Sequence, residues 1–83
     1  MRKKRLNDEV MEKMGDAEGH SVTLVYRDGS RLKGIVDVYE SRYDNDGEAS
    51  ICFSAEDGRG LIVDEHELSD VIIEDEKETN RLA

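Results

Sequence analysis

The feature that most constrains the fold is a set of five short runs, between residues 21 and 75, in which apolar and polar residues alternate. In the first run the apolar residues are Val22, Leu24 and Tyr26. A period of two is typical of strands with one buried face. Stretches rich in Gly, Asp, Asn and Ser separate the runs, namely RDGS, SRYDNDG and EDGRG, and these are turn formers. The pattern predicts a mainly β domain of five strands over about residues 21–75.

The second run, RLKGIVDVYE, carries Gly34 in its middle. A glycine inside a strand usually marks a sharp bend or the close approach of another backbone. A bend of this kind lets five short strands curl into a small barrel. The sequence therefore predicts a strongly bent five-stranded barrel rather than a flat sheet.

A short helix is predicted before the strands, over about residues 6–14. Its apolar residues recur at a spacing of four, and they are Leu6, Val10 and Met14. Gly15 follows directly and predicts the end of the helix. The 83 residues form one domain, and the polar residues 76–83 are predicted to be a frayed tail.

The charge of the chain is strongly negative, with a net value of −9. Four of the first five residues are basic, but residues 14–83 carry only 7 basic against 18 acidic side chains. Such a surface repels phosphate and anionic lipid, so it disfavours nucleic acid and membranes as partners. The basic start lacks the apolar stretch of a signal peptide or a membrane helix, and we therefore expect a cytoplasmic protein.

No catalytic or metal-binding pattern is present. Cys52 is the only cysteine, and His20 and His66 have no partner at a ligand or catalytic spacing. The loop that contains Asp44 and Asp46 resembles a calcium loop only in part, because Arg42 and Phe53 would occupy two of the ligand positions. We expect a non-enzyme with no cofactor, no metal and no small-molecule substrate.

The helix and the first two strands together resemble the Sm-like proteins, a branch of the SH3-like small barrels. The resemblance covers about residues 6–75 and is nearest to uncharacterised bacterial small barrels. It is carried by an alternating strand, an Asp-Gly turn and a second glycine in a bent strand. The residues concerned are Val22, Leu24, Tyr26, Asp28, Gly29, Gly34, Val36 and Tyr39.

Proteins of this family bind single-stranded RNA, usually as rings, and the resemblance implies where that site would lie. Glu40 takes the position of the family's Asp, and Asp44 takes the position of the Asn that reads the base. Asp64 or Glu65 falls where the family has arginine. A carboxylate offers a base only acceptors, and it repels phosphate. The resemblance thus implies the fold but not the RNA site.

Two surfaces are candidate interaction sites. The first is the loop after the second strand, with Tyr39, Glu40, Tyr43, Asp44 and Asn45. The second is the edge of the fourth and fifth strands, with Leu61, Val63, Val71 and Ile73, because in this fold class the fifth strand of one subunit can pair with the fourth of the next. Core packing explains these four residues equally well.

The function predicted from these observations is protein–protein interaction or self-assembly, with an unknown protein or a second copy of the chain as the partner. Sm-like RNA binding is the alternative, and an acidic mimic of nucleic acid is a further one.

Overall fold

A computed structural model describes residues 8–75 of the chain. It confirms a mainly β fold, with one helix followed by five antiparallel strands. The elements are α1 (Asp8–Asp16), β1 (Ser21–Tyr26), β2 (Arg31–Glu40), β3 (Ser50–Ala55), β4 (Gly60–Asp64), a 3-10 turn (Glu65–Glu67) and β5 (Leu68–Ile73).

All five strands belong to one sheet, in the order β4-β3-β2-β1-β5. Each neighbouring pair is antiparallel. Strands β4 and β5 are the two edges, and within residues 8–75 no ladder joins them. The sheet is therefore not closed within these residues, and the predicted barrel is not confirmed.

Gly34 lies where strands β2 and β3 come closest. A Cβ atom at this position would stand 2.2 Å from the Ser54 carbonyl oxygen and 2.7 Å from Cζ of Phe53. The predicted close approach at Gly34 is thus confirmed. A bulge between Val36 and Val38 interrupts the same ladder and adds to the local twist of β2.

The hydrophobic core lies between the inner face of the sheet and α1. Helix α1 packs mainly against β5 and buries Val10 and Met14. The largest fully buried side chains are Phe53, Met14, Leu24, Ile51, Leu68, Val22, Val36 and Val63. The inward positions of β1 and β3 thus agree with the alternation in the sequence.

Two boundaries differ from the sequence predictions. Helix α1 continues through Gly15 to Asp16, and the chain takes a positive φ of 85° only at Gly19. A compact residue at position 15 suits a close contact, because a Cβ there would lie 3.4 Å from the Tyr39 ring. The run DVIIED predicts a fifth strand that begins at Asp70, whereas β5 begins at Leu68, because the 3-10 turn ends at Glu67.

The predictions for Leu6 and for the tail at residues 76–83 lie outside the described residues. The helix within the described range has neither the length nor the hydropathy of a membrane-spanning segment.

Candidate functional site

The loop between β2 and β3 is held by its own backbone. Gly47 N–H donates to the Arg42 carbonyl at 2.7 Å, and Asp44 N–H donates to the Ser41 carbonyl at 3.1 Å. Asp46 and Gly47 both have positive φ, 57° and 91°. Asp is one of the few residues besides glycine that tolerate this region. The DNDG stretch is therefore a tight, ordered turn.

Arg42 anchors this loop to the rest of the fold. Its Nε and Nη2 atoms donate to Glu65 at 2.9 and 2.7 Å, and its Nη1 atom donates to Asp8 at 2.8 Å. Glu65 is 3% exposed and also accepts the Ala49 N–H at 2.7 Å. The guanidinium thus joins three segments: the loop, the start of α1 and the 3-10 turn.

The two carboxylates raise the pKa of Arg42 above its usual value, mainly through the hydrogen bonds to Glu65 and then those to Asp8. Buried charges of this kind are tolerated only when they are paired and hydrogen-bonded. The Asp8–Arg42–Glu65 network is accordingly a structural feature, and its arginine is already neutralised.

The predicted RNA-reading positions lie in different surroundings. Glu65 points into the protein toward Arg42, whereas Asp44 is exposed and accepts a hydrogen bond from the Ser41 hydroxyl at 3.3 Å. Asn45 uses its amide nitrogen within the loop, donating to the Glu48 carbonyl at 2.8 Å and to Ser50 Oγ at 3.2 Å. The donors that a base edge would need are thus engaged elsewhere.

The other residues of the candidate loop surface divide into packed and exposed ones. Tyr39 is half-buried against the core, and this burial raises the pKa of its phenol. Its backbone N–H donates to Glu18 at 2.9 Å. Glu40 is exposed at the end of β2, and Tyr43 is 97% exposed. Tyr43 is thus the member of this set that stands fully in solvent.

Three ionisable side chains meet beside the end of β4. The possible ligand atoms of Glu48, Asp64 and His66 all lie within 4.8 Å of one another. His66 Nδ1 is hydrogen-bonded to Glu48, which raises the pKa of the imidazole. The His66 side chain is 61% exposed. Pairing of a histidine with a carboxylate accounts for this arrangement, and we assign no ion to it.

A shallow cleft of about 420 Å³ lies over the close approach at Gly34. Its rim combines one lysine, Lys33, with two glutamates, Glu56 and Glu74. Glu74 is engaged by the Thr23 hydroxyl at 2.6 Å. Two serines, Ser21 and Ser54, also line the cleft, and the Ser54 hydroxyl donates to Asp37 at 2.5 Å.

The four residues predicted at the strand edges face the inside of the sheet. Val63 and Val71 are 2% and 4% exposed, and Leu61 and Ile73 pack against the core. Their side chains are therefore core residues. Edge pairing through the backbone of these strands remains a prediction.

Sequence reasoning missed an apolar patch on the outer face of the sheet. Ile62 is 73% exposed, Ile35 46% and Val38 43%, and Cys52 is half-buried between Val38 and Ile62 on neighbouring strands. A lone cysteine within the apolar run SICFS is expected to be a small buried hydrophobe, whereas Cys52 is only half-buried and lies on the outer face. The sequence did indicate this patch, because consecutive apolar residues in a strand point to opposite faces, so some of them must lie on the outer face.

The remaining exposed surface is mainly acidic. Residues 8–75 carry 6 basic and 19 acidic side chains. Three of the bases, Lys13, Arg42 and Arg59, form salt bridges within the domain. This distribution is opposite to the basic surface that phosphate binding requires.

Comparisons with protein-family models, with curated proteins and with solved structures found no match for this chain.

Proposed function

We propose that the protein is a non-enzymatic interaction module of the small-barrel kind, which associates with other proteins through the open edge of β4 and the outer apolar patch. The patch consists of Ile35, Val38, Cys52 and Ile62. The observation that carries the proposal is Ile62, which is 73% exposed in the middle of an edge strand. An open edge of this kind is a template for an added strand.

Kinship with Sm-like proteins is part of this proposal. A helix followed by five antiparallel strands, with β4 and β5 at the two edges, supports it. The glycine at the closest approach of β2 and β3 supports it as well. A cytoplasmic location is proposed on the basis of the sequence alone.

RNA binding is disfavoured by the same geometry. The loop donors are engaged within the loop, and Arg42 is bound to two carboxylates. Nucleic-acid affinity depends largely on cations that neutralise phosphates. An association module is therefore the better account of the exposed apolar patch.

The test is site-specific photo-crosslinking in cells that express the protein. A photoreactive benzoylphenylalanine replaces Ile62 in one variant and Ser69, an exposed residue of β5, in the control. We expect covalent adducts from position 62 and none above background from position 69. The mass of the adduct shows whether the partner is a second copy or another protein.

Absence of any adduct at position 62 would overturn the proposed function. Equal adducts at both positions would also overturn the assignment to β4, because contact would then be non-selective.

A further inference from the structure

The hydrogen bonds at the two ends of the β3–β4 ladder show which backbone groups of β4 point away from β3. Ala55 N–H donates to the Arg59 carbonyl and Glu65 N–H donates to the Ala49 carbonyl, both at 2.9 Å. Bonded and non-bonded pairs alternate along an antiparallel ladder. The residues whose N–H and C=O groups point away from β3 are therefore Gly60, Ile62 and Asp64.

One of these three donors is already engaged. Asp64 N–H donates to Glu67 Oε2 at 3.2 Å, within the capping box of the 3-10 turn. The donors that β4 presents to an added strand are thus those of Gly60 and Ile62.

The opposite edge of the sheet is blocked near its centre. Glu74 N–H donates to the Ser21 carbonyl of β1 at 2.8 Å. Because hydrogen-bonded and non-bonded positions alternate along the β1–β5 ladder, Val71 N–H points away from β1. Asp70 Oδ1 accepts that N–H at 2.8 Å and also accepts Lys13 Nζ of α1 at 2.7 Å. Charged side chains that cover an edge in this way oppose the addition of a strand.

We propose that β4 pairs with β4 of a second copy of this chain, antiparallel and related by a two-fold axis at Ile62. This inference rests on the proposed function and names its partner. In this register the two Ile62 residues lie directly opposite each other and exchange two N–H···O=C hydrogen bonds. Gly60 N–H of each copy donates to the Asp64 carbonyl of the other copy, so the pairing uses both available donors.

The side chains of β4 suit the same register. On the inner side Leu61 of one copy lies opposite Val63 of the other, and on the outer side the Ile62 residues meet and extend the apolar patch. Cross-strand pairs of apolar residues stabilise a ladder. Burial of the exposed part of Ile62 supplies a further hydrophobic contribution.

Charges of both signs lie at the ends of the pairing, because Arg59 is itself paired with Asp57. Asp64 of each strand lies opposite Gly60 of the second copy, next to Arg59, the cation of that hairpin. The two domains as a whole repel each other, because each carries 6 basic and 19 acidic side chains within residues 8–75. Salt screens such repulsion, so we expect added NaCl to strengthen the dimer.

A short strand pairing buries less area than a standard interface of about 800 Å² per partner, so we expect a reversible dimer. The first measurement is the mass of the wild-type protein by light scattering, from about 10 µM to about 1 mM, at low and high NaCl. The expected mass rises from one chain to two, and it rises earlier in high salt. In the Ile62→Lys variant it stays at one chain.

The second measurement tests the register with cysteines. A Cys52→Ser/Ile62→Cys protein is oxidised beside a matched Cys52→Ser/Ser69→Cys control. A hydrogen-bonded antiparallel pair has Cα atoms about 5.5 Å apart, which is within the range that a disulfide can span. We expect a covalent dimer at position 62 at least about tenfold faster than at position 69.

Three results would overturn the inference. One is a wild-type protein that stays at one chain throughout, another is equal oxidation rates at both positions, and the third is an assembly of five or more chains, which needs the edge of β5. A one-chain mass together with adducts at position 62 to another protein would reject the second copy and retain the proposed function.

Discussion

Replacing Arg42 with methionine tests how strongly the loop, α1 and the 3-10 turn depend on one guanidinium. Methionine keeps most of the length of the side chain but removes the charge. Glu65, whose side chain is 4% exposed, would keep its hydrogen bond from Ala49 N–H and lose the arginine. Removing one partner of a buried ion pair costs about 3–5 kcal/mol.

The lower end of that range applies here, because the Arg42 side chain is 16% exposed. We therefore expect Arg42→Met to reduce the free energy of unfolding by about 3 kcal/mol. A domain of 83 residues has a total stability of roughly 4–12 kcal/mol. The same loss corresponds to a decrease in Tm of about 12–24 °C.

The assay is urea unfolding followed by far-ultraviolet circular dichroism, with all variants at one low protein concentration. The matched control is Arg59→Met, which removes an exposed pair with Asp57 whose side chains are 59% and 50% exposed. We expect the control to lose less than about 1 kcal/mol. The double variant Arg42→Met/Glu65→Gln should recover part of the loss, because a neutral amide is less costly to bury than a carboxylate. Equal losses for Arg42→Met and Arg59→Met would refute the structural role of the network.

Three further predictions concern single positions. Gly34→Ala should reduce the free energy of unfolding by roughly 2–4 kcal/mol, because the new methyl group overlaps a β3 carbonyl. In the control Gly60→Ala the methyl group meets nothing within 4 Å, so urea unfolding should give a change of less than about 0.5 kcal/mol. His66 has a raised pKa in the folded state because of Glu48, so its pairing stabilises the protein fully below the ordinary value of 6.5 and loses that effect as the pH rises through the raised pKa. Unfolding midpoints measured across this range should therefore fall more steeply for wild type than for His66→Gln, and identical slopes would contradict the assignment. Asp70→Ala uncovers the edge of β5, so light scattering should detect assemblies larger than two chains, and an unchanged mass would show that the edge is protected in another way.

The alternation in the sequence predicted the five strands, and the glycine in the second run predicted the close approach of β2 and β3. These features could be predicted because strand period and glycine placement are local properties. The end of α1 was wrong by two residues, since Gly15 fits against the Tyr39 ring inside the helix and the left-handed turn comes at Gly19.

The Asp8–Arg42–Glu65 network beside the candidate loop was harder to predict, because its members are far apart in the sequence. Arg42 and Glu65 are 23 residues apart, and no spacing rule connects a loop arginine with a carboxylate in a 3-10 turn. The acidic loop itself was predicted as a turn, which is what the structure shows. The exposed Ile62 could have been found from the three consecutive apolar residues 61–63, because only alternate positions can face the core.

The contact between α1 and β5 also has a consequence for the order of folding during synthesis. Lys13 and Asp70 are 57 residues apart, and β1 pairs with β5 across most of the described chain. A nascent chain therefore carries β1 with one side unpaired until β5 leaves the ribosome. Contacts of such long range slow folding and prolong the exposure of strand edges. Completion of the sheet and covering of its β5 edge become late, nearly simultaneous events, both set by the arrival of residues 68–73.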